Sequence, residues 1–236
     1  MAKKKAAAGL TGLERFGGGV IFLTFYPLFP LLAGPVRQLA ETLLNQRVSD
    51  SFFASIYYYI FFAAAVMVFH SLLSKSSRRF LDHPVPALKT AGVGLIAYYG
   101  LDRLISQLSA PLLNLPENLN DTAAFTQAGS APHSTLLCVV FLAPFVEETL
   151  FRGWVFGGLK ERSRPAAYLA SCALFALIHV WRPALMLRDP AYLLMTVQYL
   201  APGLALAWAY DHSGTLWASI GLHAGVNALS VLAGSL

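Results

Sequence analysis

Seven stretches of this 236-residue chain are each long and apolar enough to cross a lipid bilayer, and that pattern limits the fold more than any other feature. They are Phe16–Val36, Phe52–Leu73, Ala87–Leu108, Ser134–Leu159, Pro165–Trp181, Ala191–Tyr210 and Thr215–Leu232. A spanning helix needs about 20 mainly apolar residues. The third stretch is the weakest of the seven, because Asp102 and Arg103 sit near its end. The sixth carries Pro202-Gly203, which predicts a kink or a break there. Composition agrees: 56% of the residues are hydrophobic, 12% are charged and the mean hydropathy is +0.57. A soluble domain carries roughly twice that charge, so this chain has too little polar surface to hold a globule in water. The expected fold is an all-α, polytopic transmembrane helical bundle of about seven spans, forming one membrane domain over residues 1–236.

Orientation follows from the Lys and Arg residues, which give a net charge of +5. They lie in short clusters between apolar runs, as membrane orientation requires, and form no single patch suited to nucleic acid. With the N-terminus cytoplasmic, the inner side collects Lys3, Lys4, Lys5, Arg15, Lys75, Arg78, Arg79, Lys89, Lys160, Arg162 and Arg164. The outer side collects only Arg37, Arg47, Arg103, Arg182 and Arg188. The chain is therefore expected in the cell membrane with its N-terminus inside and, given seven spans, its C-terminus outside. The first span follows a basic start but lacks an A-x-A-like cleavage site, so it reads as an uncleaved helix rather than a signal peptide. Ser109 to His133 reads as a loop, with room for a short interfacial helix. Cys138 and Cys172 both fall in apolar runs and read as buried packing residues. His70 and His212 also read as hydrogen-bonded packing residues, while His83 and His133 read as loop residues.

A charged residue within a span costs roughly 2.5–3.5 kcal/mol on insertion scales, so it needs a partner or a task. The fourth span holds Glu147, Glu148 and Arg152. Glu148 and Arg152 are four residues apart on one helix face and can form an ion pair. Glu147 points about 100° away from Glu148, so that pairing leaves it unexplained. The fifth span offers His179; the seventh offers His223 and Asn227, which share a face. At about 1.5 Å per residue from the cytoplasmic helix ends, the depths are roughly 18 Å for Glu147, 21 Å for His179, 12 Å for His223 and 18 Å for Asn227. Three helices can bring these four polar groups to one layer. Attack of water on an amide needs a base for its proton and donors for the oxygen that becomes negative. A carboxylate desolvated among helices is a stronger base. Glu147 with His179 can activate the water, and His223 with Asn227 can hold the oxyanion.

Glu-Glu-x-x-x-Arg at 147–152, Phe-x-x-x-His at 175–179 and His-x-x-x-Asn at 223–227 stand on separate spans, in this order. At these residues the chain resembles the CAAX protease and bacteriocin-processing family of intramembrane glutamic endopeptidases. The resemblance covers roughly Leu136 to Leu229, within a motif-bearing core of about residues 134–232. It implies Glu147 as catalytic base with His179 beside it, His223 and Asn227 stabilising the oxyanion, and Glu148 and Arg152 completing the first motif. It also implies cleavage of a peptide bond near a membrane-associated end, in some members after a prenylated cysteine. The first three spans carry no recognised motif.

Other readings remain open at this stage. Glu148 with Arg152 can be a purely structural ion pair. Two His and a Glu are acceptable Zn²⁺ ligands, so a zinc peptidase built on the same residues is an alternative to a cofactor-free enzyme. The same polar groups can also line a proton or solute pathway, although the chain shows no inverted repeat. Tyr57-Tyr58-Tyr59 reads as an interfacial or packing face. The expected partners are a membrane-bound protein or peptide substrate and the bilayer, not nucleic acid.

Overall fold

Every regular element among the described residues is helical. The computed structural model describes residues 9–113 and 132–234. In chain order the helices are α1 (Gly12–Leu44), α2 (Asp50–Val68), α3 (His70–Asp82), α4 (Pro84–Ser109), α5 (His133–Leu159), α6 (Arg164–Met186), α7 (Ala191–Ser213) and α8 (Leu216–Gly234). All but α3 and α4 are long and apolar enough to cross a membrane. The third expected span forms α4, whose 26 residues reach about 39 Å. Lys89, Asp102 and Arg103 keep it out of the strongly apolar set, yet it packs along α7 and α8 within the bundle.

The helices differ from the apolar runs in instructive ways. The second run stops at Phe69, whose ψ of 21° breaks the helix, so residues 70–82 form the separate helix α3. Glu14 makes this junction. Its carboxylate caps its own helix in a reciprocal box with Thr11, and its Oε1 accepts the backbone N–H of Leu72, 2.7 Å away at the start of α3. In the sixth run the irregularity falls ahead of Pro202-Gly203. Residues Met195–Tyr199 wind as a 3₁₀ turn, and Pro202 sits in the first turn of the α-helical part that begins at Leu200, where a missing N–H costs little. Of the expected loop at 109–133, residues 114–131 lie outside the described residues.

Helix α5 is the axis of the molecule. It packs against α1, α2, α6, α7 and α8, and every residue from Leu142 to Gly153 is buried. A helix buried on all faces has no surface on which to expose a charge, so Glu147, Glu148 and Arg152 must be satisfied inside. Close approach to α5 depends on small residues. A Cβ at Gly18 of α1 would lie 2.4 Å from the indole of Trp154, and the indole Nε1 donates to the Arg15 carbonyl at 3.0 Å. Along α1, by contrast, Leu13, Phe16, Val20, Leu23, Leu31 and Leu39 are exposed, as suits a lipid-facing stripe.

Cys138 and Cys172 are both buried and free. His70 and His212 are not packing residues: both are exposed, and His212 stacks on Trp208 with ring centroids 5.0 Å apart. Each lies at the end of a helix rather than in the apolar middle of one, which a run-based reading does not resolve. His133 is the first residue of α5 and not a loop residue.

Candidate active site

Two local windings shape the site, and each ends at a proline. In α1, residues Thr24–Leu28 form a π-helical turn whose last bond runs from the Phe29 N–H to the Thr24 carbonyl. The next bond of that ladder would need an N–H at Pro30, so the Phe25 carbonyl is left over. The Tyr57 hydroxyl of α2 donates to it at 2.5 Å. In α5, residues Leu137–Leu142 are also π-helical, and the Ala143 N–H reaches the Cys138 carbonyl. The next donor would come from Pro144, so the Val139 carbonyl is left over. It accepts the side-chain Nδ2 of Asn227 at 2.8 Å. A proline five residues on thus frees a carbonyl for a cavity-lining side chain on another helix. π-turns recur at functional sites for this kind of reason.

Glu147, His179, His223 and Asn227 all line one cavity of ≈ 950 Å³. His179 Nδ1 lies 2.7 Å from the Phe175 carbonyl. A carbonyl only accepts, so Nδ1 carries the proton and Nε2 keeps its lone pair in the neutral ring. That Nε2 is 4.0 Å from Glu147 Oε2. The separation is too long for a direct hydrogen bond and suits a bridging water. Glu147 Oε2 takes no hydrogen bond from the described protein atoms. Tyr199 stacks on the His179 ring at 4.4 Å and fixes its plane.

Glu148 and Arg152 lie behind this wall, both fully buried. Arg152 Nη1 donates to Glu148 Oε1 at 3.0 Å, and Nη2 donates to the Gly203 carbonyl at 3.1 Å. The guanidinium also sits 4.6 Å above the Phe175 ring. His223 Nδ1 is 2.9 Å from the same Glu148 Oε1. Glu148 therefore ties α5 to α8, and Arg152 ties α5 to α7. Gly203 permits the second tie, since a Cβ there would sit 3.3 Å from that of Cys172.

The six polar motif residues thus separate into two sets: four on the cavity wall and two in the brace behind it. The sequence reading missed the tyrosines. Tyr26, Tyr57 and Tyr58 line the cavity, and each interacts electrostatically with Glu147. The Tyr26 hydroxyl is buried with no hydrogen-bond partner among the described residues. Its signal was the Phe25-Tyr26-Pro27 string inside an apolar run, but nothing in the string says which face it turns inward. Tyr57 stacks on Phe25 and Phe29, so the expected aromatic packing face is also cavity wall. Asp102, near the end of the third expected span, lines the cavity too. Among the described residues, no three His, Cys, Asp or Glu side chains come together in a way that could hold a metal ion.

Residues 129–229 match the family model described as type II CAAX prenyl endopeptidase Rce1-like. Over that segment, somewhat under half of its length, the chain is similar to the Rce1-like family. The matched segment contains all seven motif residues, and it agrees with the resemblance seen in the motifs. α1 to α4 lie outside it, so the aromatic wall that Tyr26, Tyr57 and Tyr58 add to the cavity comes from beyond the Rce1-like segment. No curated protein and no solved structure matches the chain.

Proposed function

We propose that the chain is an intramembrane endopeptidase that hydrolyses a peptide bond of a membrane-associated protein or peptide with water activated by Glu147 and His179. The observation that carries this reading is the pair of facing acceptors, Glu147 Oε2 and His179 Nε2, 4.0 Å apart on the cavity wall. A water has two protons. Donating one to each acceptor leaves its oxygen lone pair directed at a bound carbonyl carbon. As that bond forms, Glu147 takes the water's proton and the carbonyl oxygen becomes negative. Glu147 then returns the proton to the leaving amine as the C–N bond breaks.

Asn227 keeps a second amide N–H beyond the one given to Val139, and His223 keeps Nε2 beyond the Nδ1 held by Glu148. These are the donors assigned to the oxyanion. Glu148 holds His223 at Nδ1, and Arg152 fixes Glu148. Tyr26 orients the water or the Glu147 carboxylate through its hydroxyl. The match to a CAAX prenyl endopeptidase family supports a substrate held at the membrane by its lipid or its apolar tail.

The test compares purified protein with Glu147→Gln, His179→Ala and Asn227→Ala variants on membrane-tethered peptides. The first two abolish cleavage, and the third lowers kcat by about 10²–10³, the usual effect of losing an oxyanion donor. Activity survives a strong chelator, because the chemistry assigned here needs no metal. If Glu147→Gln cuts at the parent rate, the peptidase reading fails.

A further inference from the structure

We propose that the cavity is entered from the non-cytoplasmic side of the membrane, and that the substrate is therefore a peptide segment displayed outside the cytoplasm. The substrate clause rests on the peptidase reading above; the sidedness does not.

The two ends of the bundle are unlike. At one end the starts of α1, α3, α6 and α8 meet the ends of α5 and α7, and direct bonds join them. Ser76 and Thr215 are 2.9 Å apart, Trp217 Nε1 donates to Ser77, and Arg164 donates to Asp211 at 2.6 Å. This tied end carries Lys75, Arg78, Arg79, Lys160, Arg162 and Arg164. At the other end, the cavity wall comes from the outer halves of seven helices, α1 adding Pro30. Ser51 of α2, Ser106 of α4, Ser134 of α5, Arg182 of α6, Gln198 of α7 and Ser230 of α8 all lie between the Glu147 layer and that end. Ser106, Arg182 and Ser230 are exposed, and Ser51 is half-buried. The mouth is at the basic-poor end. It carries Arg37, Arg47, Arg103, Arg182 and Arg188, of which Arg37 is paired with Glu41 and Asp50, and Asp102 lines the cavity along with Arg182.

Lys and Arg in short connections mark the cytoplasmic side of a membrane protein. The tied end is thus cytoplasmic, and the open end faces away from it. Glu147 lies 14 residues, about 21 Å, below the start of α5. A substrate must therefore descend from the outer surface to near the mid-plane. An extended chain covers that depth in about six or seven residues. The site would accept a short, flexible peptide next to an anchor, not a folded loop.

Sidedness can be read without any activity. Cys138 and Cys172 are first replaced by Ala, and one cysteine is then returned at a time. In intact cells, Ser106→Cys and Ser230→Cys react with a membrane-impermeant maleimide, while His83→Cys, between α3 and α4, reacts only after permeabilisation. The reverse pattern overturns the proposal. The substrate clause is tested with one peptide library fused to a membrane anchor, displayed either outward or inward. Glu147-dependent cleavage of the outward library supports it, and Glu147-dependent cleavage of the inward library alone overturns it while leaving the peptidase reading intact. Outward labelling at 106 and 230, with no Glu147-dependent cleavage of either library, keeps the sidedness and sinks the peptidase reading.

Discussion

Replacing Arg152 by Met tests whether the motif's second glutamate and its arginine are a brace rather than part of the chemistry. Arg152 gives up three things at once: a 3.0 Å bond to Glu148, a 3.1 Å bond to the Gly203 carbonyl, and its place 4.6 Å over Phe175. Hydrogen bonds to charged groups contribute about 1.5–3 kcal/mol each. The variant also leaves the fully buried Glu148 carboxylate with His223 as its one remaining side-chain donor. Breaking a buried pair from one side costs about 3–5 kcal/mol, mostly through the charge left behind. A domain of this size loses about 2–4 °C of Tm per kcal/mol, so Arg152→Met should melt about 6–20 °C lower. Glu148→Gln/Arg152→Met removes both charges and keeps an acceptor for His223 Nδ1. It should recover most of that loss, because well-packed neutral groups replace a buried pair at little cost. The assay is thermal loss of helicity and of monodispersity in detergent or nanodiscs for the parent, both singles and the double variant. If the effects of the two singles simply add in the double, the residues are not coupled and the brace reading is wrong.

Three further substitutions probe the first helix. Tyr26→Phe removes a buried hydroxyl that has no partner among the described residues, so Tm should hold or rise slightly, while kcat falls about tenfold with KM unchanged; a drop in Tm worth about 1 kcal/mol would mean the hydroxyl is bonded within the fold. Gly18→Ala drives a methyl to within 2.4 Å of the Trp154 indole and disturbs its bond to Arg15, costing about 1–3 kcal/mol. Gly34→Ala in the same helix, where a Cβ meets nothing within 4 Å, should be neutral or stabilising, and thermal melts of the pair decide the matter.

Hydropathy located every helix that carries the motifs, because a spanning segment announces itself by composition over about 20 residues. The motif side chains were legible because charges and imidazoles are rare in such runs. What composition could not show is helical winding. The π-turns at Thr24–Leu28 and Leu137–Leu142 depend on where Pro30 and Pro144 fall relative to the last available N–H. That register decides which carbonyls receive Tyr57 and Asn227. Nor could a one-dimensional reading see Glu14 crossing from α1 to cap α3, since the two residues are 58 apart in sequence. Helix-face reasoning correctly set Glu147 and Glu148 in different directions. It assigned Glu148 to Arg152 alone, whereas His223 from α8 shares the same oxygen.

That shared oxygen is a reason for two adjacent glutamates rather than one. A carboxylate that must collect a water's proton cannot also be held by an arginine and an imidazole, because donors to its oxygens weaken it as a base. A histidine that must steady a developing negative charge needs a fixed carboxylate at its other nitrogen. One residue cannot meet both demands. Consecutive positions on a helix diverge by about 100°, so two neighbours can face two environments at the same depth. Glu147 meets a cavity, His179 and a row of tyrosines; Glu148 meets Arg152 and His223, out of contact with the cavity. The argument has a sharp consequence. Glu147→Gln with Glu148 intact should leave a stable, inactive protein, whereas Glu148→Gln alone should weaken the fold and His223 together. A Glu148→Gln variant with parent stability and parent kcat would show that the second carboxylate holds nothing the first could not.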